Sequence, residues 1–263
     1  MKSSAHIPAG VPVREAVQLG LGSIEHLSYA IRGANEGIPK APSADNQPPS
    51  FDSANAVALY RFMAERGTAI TPTLNISRTL AWLDSEDHTR DEYLKYIGPG
   101  LRATYAWRIE RQAGSTPEAI ARRHANYEFS SSKLPLLQQS GVLILAGTDA
   151  GFLNSYDYPG IGLHDELGLL VKAGLTPLQA LQASTINGAR WLGRESRHGV
   201  LSRGSASDLV ILDGNPVADI SATRRIHGIV VRGRYLDRAK LDSMLAGVAR
   251  DVSRMKGPSA RQR

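Results

Sequence analysis

The sequence predicts an α/β protein in which a parallel sheet is covered by helices and a few extra strands follow. Three observations predict it. An amphipathic segment, a glycine and a short apolar run recur in that order three times: "VREAVQLG" before "LGSIEHL", "SANAVALYRFMAERG" before "TAITPTLN", and "SSKLPLLQQSG" before "VLILAGTDAG". No hairpin signal separates these runs, so successive strands are joined by helices and run parallel. Beyond residue 195 the cadence changes, and "SDLVILDG" and "IHGIVVRGRYL" follow one another as strand-like runs with no amphipathic helix between them.

Each element has its local reason. Gly20, Gly67 and Gly141 stand where a helix end wants a left-handed residue, and the runs after them are short, apolar and partly β-branched. In such sheets function gathers at the carboxyl ends of strands, where His26, Thr71 and Asp149 fall. His6 and His26 each close a short segment and lie one helix plus one strand apart, so they read as paired ligands on adjacent strands. Alternation along a strand points Glu25 away from His26, into a packing or supporting role. Between the second and third strands lies an insertion over residues 75–140, rich in Trp, Tyr and Arg and broken at "IGPG" and "AGSTP". It forms helices that either cover a pocket or pack on the outside, with His88 and His124 as solvated residues. In "LTPLQAL" Thr176 is the expected N-cap and Pro177 the first helical residue. "DRAKLDSMLAGVARDVSR" forms a last helix.

At 263 residues and 42% hydrophobic content the chain can bury a real core. No window approaches the roughly 18 consecutive apolar residues of a membrane span, and "MKSSAHIPAGVP" lacks the apolar stretch of a secretory signal, so a soluble chain with no membrane partner is expected. With no cysteine, any metal must rest on His, Asp, Glu or a modified Lys, and the compartment, cytoplasmic or exported, stays open. The net charge of +6 is a property of the tail, since from Arg224 onward eleven Lys or Arg face three Asp. That basicity comes without aromatic interleaving or a nucleic-acid motif, and no nucleic-acid partner is expected.

Four strings together carry a resemblance: "GSIEHL", "GVLILAGTDAG", "LHDELGLLVKAGLTPLQALQASTINGARWLG" and "GSASDLVILDGNPVADISATRRIHGIVVRGRYLD". In order and spacing they resemble the C-terminal half of the metal-dependent amidohydrolase superfamily, in its imidazolonepropionase-like and Xaa-Pro dipeptidase branch. The resemblance implies strands 5 to 8 of a (β/α)8 TIM barrel over residues 1–195, with the helical insertion at 75–140. It also implies strands of a small β-sandwich over 196–237, and a C-terminal helix and basic tail over 238–263. It implies two zinc-type ions, with His6 ending the fifth strand and His26 the sixth as ligands of one. Asp149 in "GTDAG" binds the other ion and acts as the catalytic residue that takes a proton from the bridging hydroxide. His164 in "LHDEL", placed in the loop after that strand, contacts substrate or anchors the loop. The implied reaction is metal-dependent hydrolysis of a C–N bond in a small-molecule amide, dipeptide or cyclic amide.

The sequence also departs from the pattern. No H-x-H pair occurs anywhere in the chain, and the lysine whose carboxylated form bridges both ions has no counterpart, since Lys2 precedes His6 on the same truncated strand. The expectation is a half enzyme with weak or absent metal binding. Its N-terminal half would come from another chain. Alternatively it is a non-catalytic remnant that acts as a pairing module or homo-oligomer.

Overall fold

The computed structural model describes residues 2–37 and 51–256. Strand β1 (Ser4–Ala5), helix α1 (Val13–Gln18) and strand β2 (Ser23–Glu25) come first, followed by α2 (Leu27–Ala34), α3 (Ser53–Arg66) and β3 (Ala69–Thr71). The three strands form one parallel sheet in the order β1-β2-β3, with Ile24 opposite Ala5 on one side and Ile70 on the other. All three predicted glycines have positive φ, and Gly67 at 66° accepts the left-handed end of α3 that a side chain would resist. Asp52 opens the same helix by accepting from the backbone N–H groups of Ala54 and Asn55.

The predicted strand in "VLILAG" is reduced to a single residue. Ile144 makes one parallel bridge with Ile70, through Ile70 N–H to Leu143 O and Leu145 N–H to Ile70 O. On its far side no further strand follows among the described residues. Instead Asn187 Nδ2 donates to Ile144 O at 2.9 Å and Ala146 N–H donates to Ala183 O. Helical residues thus satisfy the backbone groups that another strand would have extended, and the sheet stays open rather than closing into a barrel.

The insertion holds α4 (Leu74–Trp82), a 3-10 turn (Glu92–Tyr96), α5 (Pro99–Ala103), α6 (Tyr105–Gln112) and α7 (Pro117–Ser131), and α8 (Leu134–Gln139) then leads to Ile144. Its breaks fall at Gly98-Pro99 and before Thr116-Pro117, as proline at a helix start dictates. Two of its histidines depart from the expectation of solvated residues. His88 stacks on Tyr156 at 4.5 Å and His124 on Trp82 at 4.2 Å, because the flat imidazole covers an aromatic face that would otherwise meet water.

Helices α9 (Ile161–Lys172), α10 (Pro177–Ala183) and α11 (Ile186–Trp191) follow, and Thr176 opens α10 in a full capping box with Gln179. His164 therefore lies on a helix, not in a loop: its neighbours Leu163, Leu167 and Leu170 repeat at helical spacing. Strands β4 (Leu209–Leu212), β5 (Ile226–Val231) and β6 (Arg234–Asp237) form an antiparallel sheet in that order, with a 3-10 turn over Ile220–Arg224 between the first two. Arg232 and Gly233, both at positive φ, make the tight turn of the β5-β6 hairpin. Helix α12 (Arg238–Arg254) closes the described chain, and the tail over 257–263 lies outside the described residues.

Ile24 and Ile70 belong to one core cluster with Val13, Val17, Leu59, Met63, Leu134, Leu137, Ile144 and Leu170, all essentially inaccessible. Strands covered this way have apolar residues in succession rather than in alternation. Helix α12 contributes no buried residue, and Met244, Leu245 and Val248 are exposed on it. No helix of the described residues is long and apolar enough to cross a membrane.

Candidate functional site

Parallel pairing brings residues that follow different strands to one end of the sheet. His6 follows β1, His26 follows β2, Thr73 lies two residues past β3, and Asp149 lies beyond the Ile144 bridge. His6 Nε2 and His26 Nε2 are 2.7 Å apart, and Asp149 Oδ2 is 3.9 Å from His26 Nε2. Tyr29 stacks on the His6 ring at 5.6 Å. Asn154 Nδ2 donates to Asp149 twice, to the carboxylate at 2.8 Å and to the backbone carbonyl at 2.6 Å.

The backbone is strained where these side chains leave it. φ is 69° at His26, 50° at Thr73 and 64° at Asp149, each costing roughly 1–3 kcal/mol for a residue with a Cβ. Burial lowers the pKa of His26, and repulsion from His6 lowers it further against the opposing pull of Asp149 and Glu25. His26 therefore favours its neutral form, the form that offers a nitrogen lone pair. Two imidazole nitrogens and a carboxylate are donors that suit a zinc-type ion. They stop short of a shell: among the described residues no three His, Asp or Glu side chains gather closely enough to hold a metal.

His164 is not part of this group. It lines a separate cleft of about 820 Å³ between the insertion and α9, and burial lowers its pKa, with Arg224 adding to the effect. Glu25 is held by the hydroxyls of Ser4 and Ser23, which lie on β1 and β2. The residues that sequence reasoning missed are carboxylates. Glu166, fully buried on α9, accepts the N–H of Asn75 at 2.7 Å, and Asp157 accepts Asn75 Nδ2 at 2.9 Å. Burial pushes Glu166 up to about 8 and Asp157 to about 7, in each case as the largest cause. Gly162 exists for this contact, since a Cβ there would overlap Asp157 Oδ1. One signal was available for Glu166: it sits three residues after Leu163 and four before Leu170, a charge within an apolar helical stripe.

Residues 52–236 match the sequence profile of the amidohydrolase family. The chain belongs to the amidohydrolase family. Among its relatives is imidazolonepropionase from Photorhabdus laumondii, 33% identical over 140 residues, which cover 52% of this chain and 30% of that protein. Ochratoxinase from Aspergillus niger is 23% identical over 219 residues, 82% of this chain and 33% of its own length. Among solved structures, a bottromycin amidohydrolase aligns at TM-score 0.68 and 23% identity, over 96% of this chain and 53% of that one. A Xaa-Pro dipeptidase aligns at TM-score 0.58 and 20% identity, over 90% and 45%. At such identities the structural likeness speaks for the fold alone. The chain spans about a third of the length of the curated relatives it matches and about half that of these structures. This amidohydrolase chain thus carries a mixed α/β region common to them, and among its described residues the parallel sheet stays open.

Proposed function

We propose that this chain carries half of a metal-dependent amidohydrolase acting on a C–N bond of a dipeptide or cyclic amide. In this reading residues 1–195 are part of a (β/α)8 barrel with the helical insertion at 75–140, 196–237 are strands of a β-sandwich, and 238–263 are a helix and tail. His6 and His26 are metal ligands, and Asp149 is both ligand and proton acceptor. The observation that carries the reading is the approach of His6, His26 and Asp149 at the carboxyl end of one parallel sheet. Family membership and the relatives named above support it.

Divalent ions held by His6, His26 and Asp149 together with groups of the N-terminal half would supply a Lewis acid and would bring the pKa of water to about 7. The chain's own residues have simpler tasks. His26, with Nδ1 against Thr73, directs Nε2 toward His6 and Asp149. Asp149, held by Asn154, offers a carboxylate oxygen to take a proton from the water whose oxygen bonds to the carbonyl carbon, and it passes that proton to the leaving nitrogen as the C–N bond breaks.

The test is to join or co-express the chain with an N-terminal half that supplies an H-x-H strand and a bridging lysine. Zinc content and hydrolysis of dipeptide and cyclic amide substrates are then measured. Zinc uptake with turnover is expected, and a fully metallated protein inert toward both classes overturns the reading. A non-catalytic pairing module is the second reading, favoured by the exposed apolar residues of α12 and by β1, which pairs only with β2 among the described residues.

A further inference from the structure

Leu153 is a strained point in the loop that follows Asp149, and the helical insertion holds both of its backbone polar groups. Its φ is 65°, a left-handed conformation that a leucine side chain resists. The Leu153 N–H donates to Thr104 Oγ1 at 3.3 Å, and Arg108 Nε donates to Leu153 O at 3.0 Å. The Thr104 hydroxyl donates its own hydrogen to Leu101 O at 2.7 Å, so toward Leu153 it offers a lone pair. On the other side of Asn154, Ser155 Oγ donates to Tyr105 O at 3.1 Å. Asn154 thus stands, buried, between two anchors that both come from the α5–α6 junction. From there its Nδ2 reaches the carboxylate and the carbonyl of Asp149.

We propose that Thr104 and Arg108 are positioning residues for Asp149: they clamp Leu153, and through Asn154 that clamp sets where the carboxylate stands relative to His26. Backbone strain of this kind persists only where surrounding contacts over-determine it, and here those contacts come from outside the loop. The Asp149 side chain is half exposed, and among the described residues Asn154 alone donates a hydrogen bond to it. Nothing else fixes it, so a shift of Asn154 is a shift of the carboxylate. The insertion therefore has a task besides covering a pocket or packing on the outside. This inference rests on the reading of Asp149 as ligand and proton acceptor, but the clamp is measured without metal or turnover, so each can fail without the other.

The experiment is NMR of the full metal-free chain at neutral pH, following solvent exchange of the Asn154 Nδ2 hydrogens and the 13C resonance of the Asp149 carboxylate. Thr104→Val combined with Arg108→Met removes the acceptor and the donor while keeping much of the bulk of both side chains. This pair is expected to speed the exchange about tenfold and to move the Asp149 resonance in the direction that Asn154→Ala moves it. Thr104→Ser, which keeps the hydroxyl, should match wild type in both readouts. Thr176→Val, which removes a capping hydroxyl at α10, controls for a general loss of stability and should change neither readout. If the double variant does not fold, Arg108→Met alone is read in the same way. The proposal is overturned if the Asp149 resonance and the exchange stay at their wild-type values without the clamp, or if Thr176→Val changes them equally.

Discussion

Thr73 Oγ1 lies 2.6 Å from Nδ1 of His26, which diverts the hydroxyl at the start of α4 away from capping its own helix. Glu166, ninety-one residues beyond Asn75, takes over the capping by accepting the N–H of that residue. The candidate site and the helix beside it are therefore tied to α9 through one fully buried carboxylate.

Removing the Thr73 hydroxyl should loosen His26 without unwinding α4. For Thr73→Val we expect a loss of about 1 kcal/mol in denaturant unfolding. In the joined protein zinc affinity should fall roughly 10- to 100-fold, since the imidazole loses the partner that orients it. Thr73→Ser, which keeps the hydroxyl, should bind zinc as wild type. A loss in Thr73→Ser with none in Thr73→Val would show that the methyl group, not the hydrogen bond, matters.

Glu166 and Asp157 set a pH dependence of stability with a definite sign. Burial raises both carboxyls in the folded chain, to about 8 and about 7, so the native state holds their protons more tightly than the unfolded state. The stability this confers is complete below their ordinary range near 4 and is lost as pH rises through 7 and 8. Urea midpoints should fall between pH 5 and 9 by the equivalent of a few kcal/mol. Glu166→Gln, still able to accept from Asn75, should flatten that fall, and an unchanged slope would remove Glu166 from the account.

His6 and His26 give one ion only two ligands, with Asp149 assigned to the other, and a zinc shell needs three or four protein groups. After dialysis the chain alone should retain well under one ion per molecule by elemental analysis. Tight stoichiometric retention that survives His6→Ala would show that another set of residues holds the metal.

Asp149→Asn in the joined protein should abolish turnover and barely change the melting temperature. Asparagine tolerates the left-handed φ of 64° at this position and can keep the contact with Asn154, but it has neither the ligand charge nor a proton-accepting oxygen. Full activity in this variant would remove the catalytic role from Asp149.

Association should follow from what the fold leaves uncovered. Met244, Leu245 and Val248 on α12, with Val210 and Tyr235 on the antiparallel sheet, are all more than two-fifths exposed. The chain alone is expected to form dimers or larger species by light scattering, and Leu245→Lys combined with Val248→Glu should shift it toward monomer. A monodisperse monomer that unfolds cooperatively would contradict this.

The sequence by itself determined the parallel sheet, its glycine-ended helices, the N-cap at Thr176 and the placing of His6 and His26 just past neighbouring strands. Helix ends, turns and apolar periodicity depend on φ preferences and on neighbours within about four residues, and those are written locally. Only the tertiary structure decided that the "VLILAG" run pairs through Ile144 alone, because Asn187 and Ala183 reach its free side from two later helices. It also decided that His164 belongs to a different cleft from His26, that His88 faces Asp91 and Tyr158, and that Glu166 is desolvated against Asn75. Burial and hydrogen-bond partnership join residues 67 and 91 positions apart, and no local period encodes such a pairing. Which carboxylate loses its water depends on the packing of the whole chain.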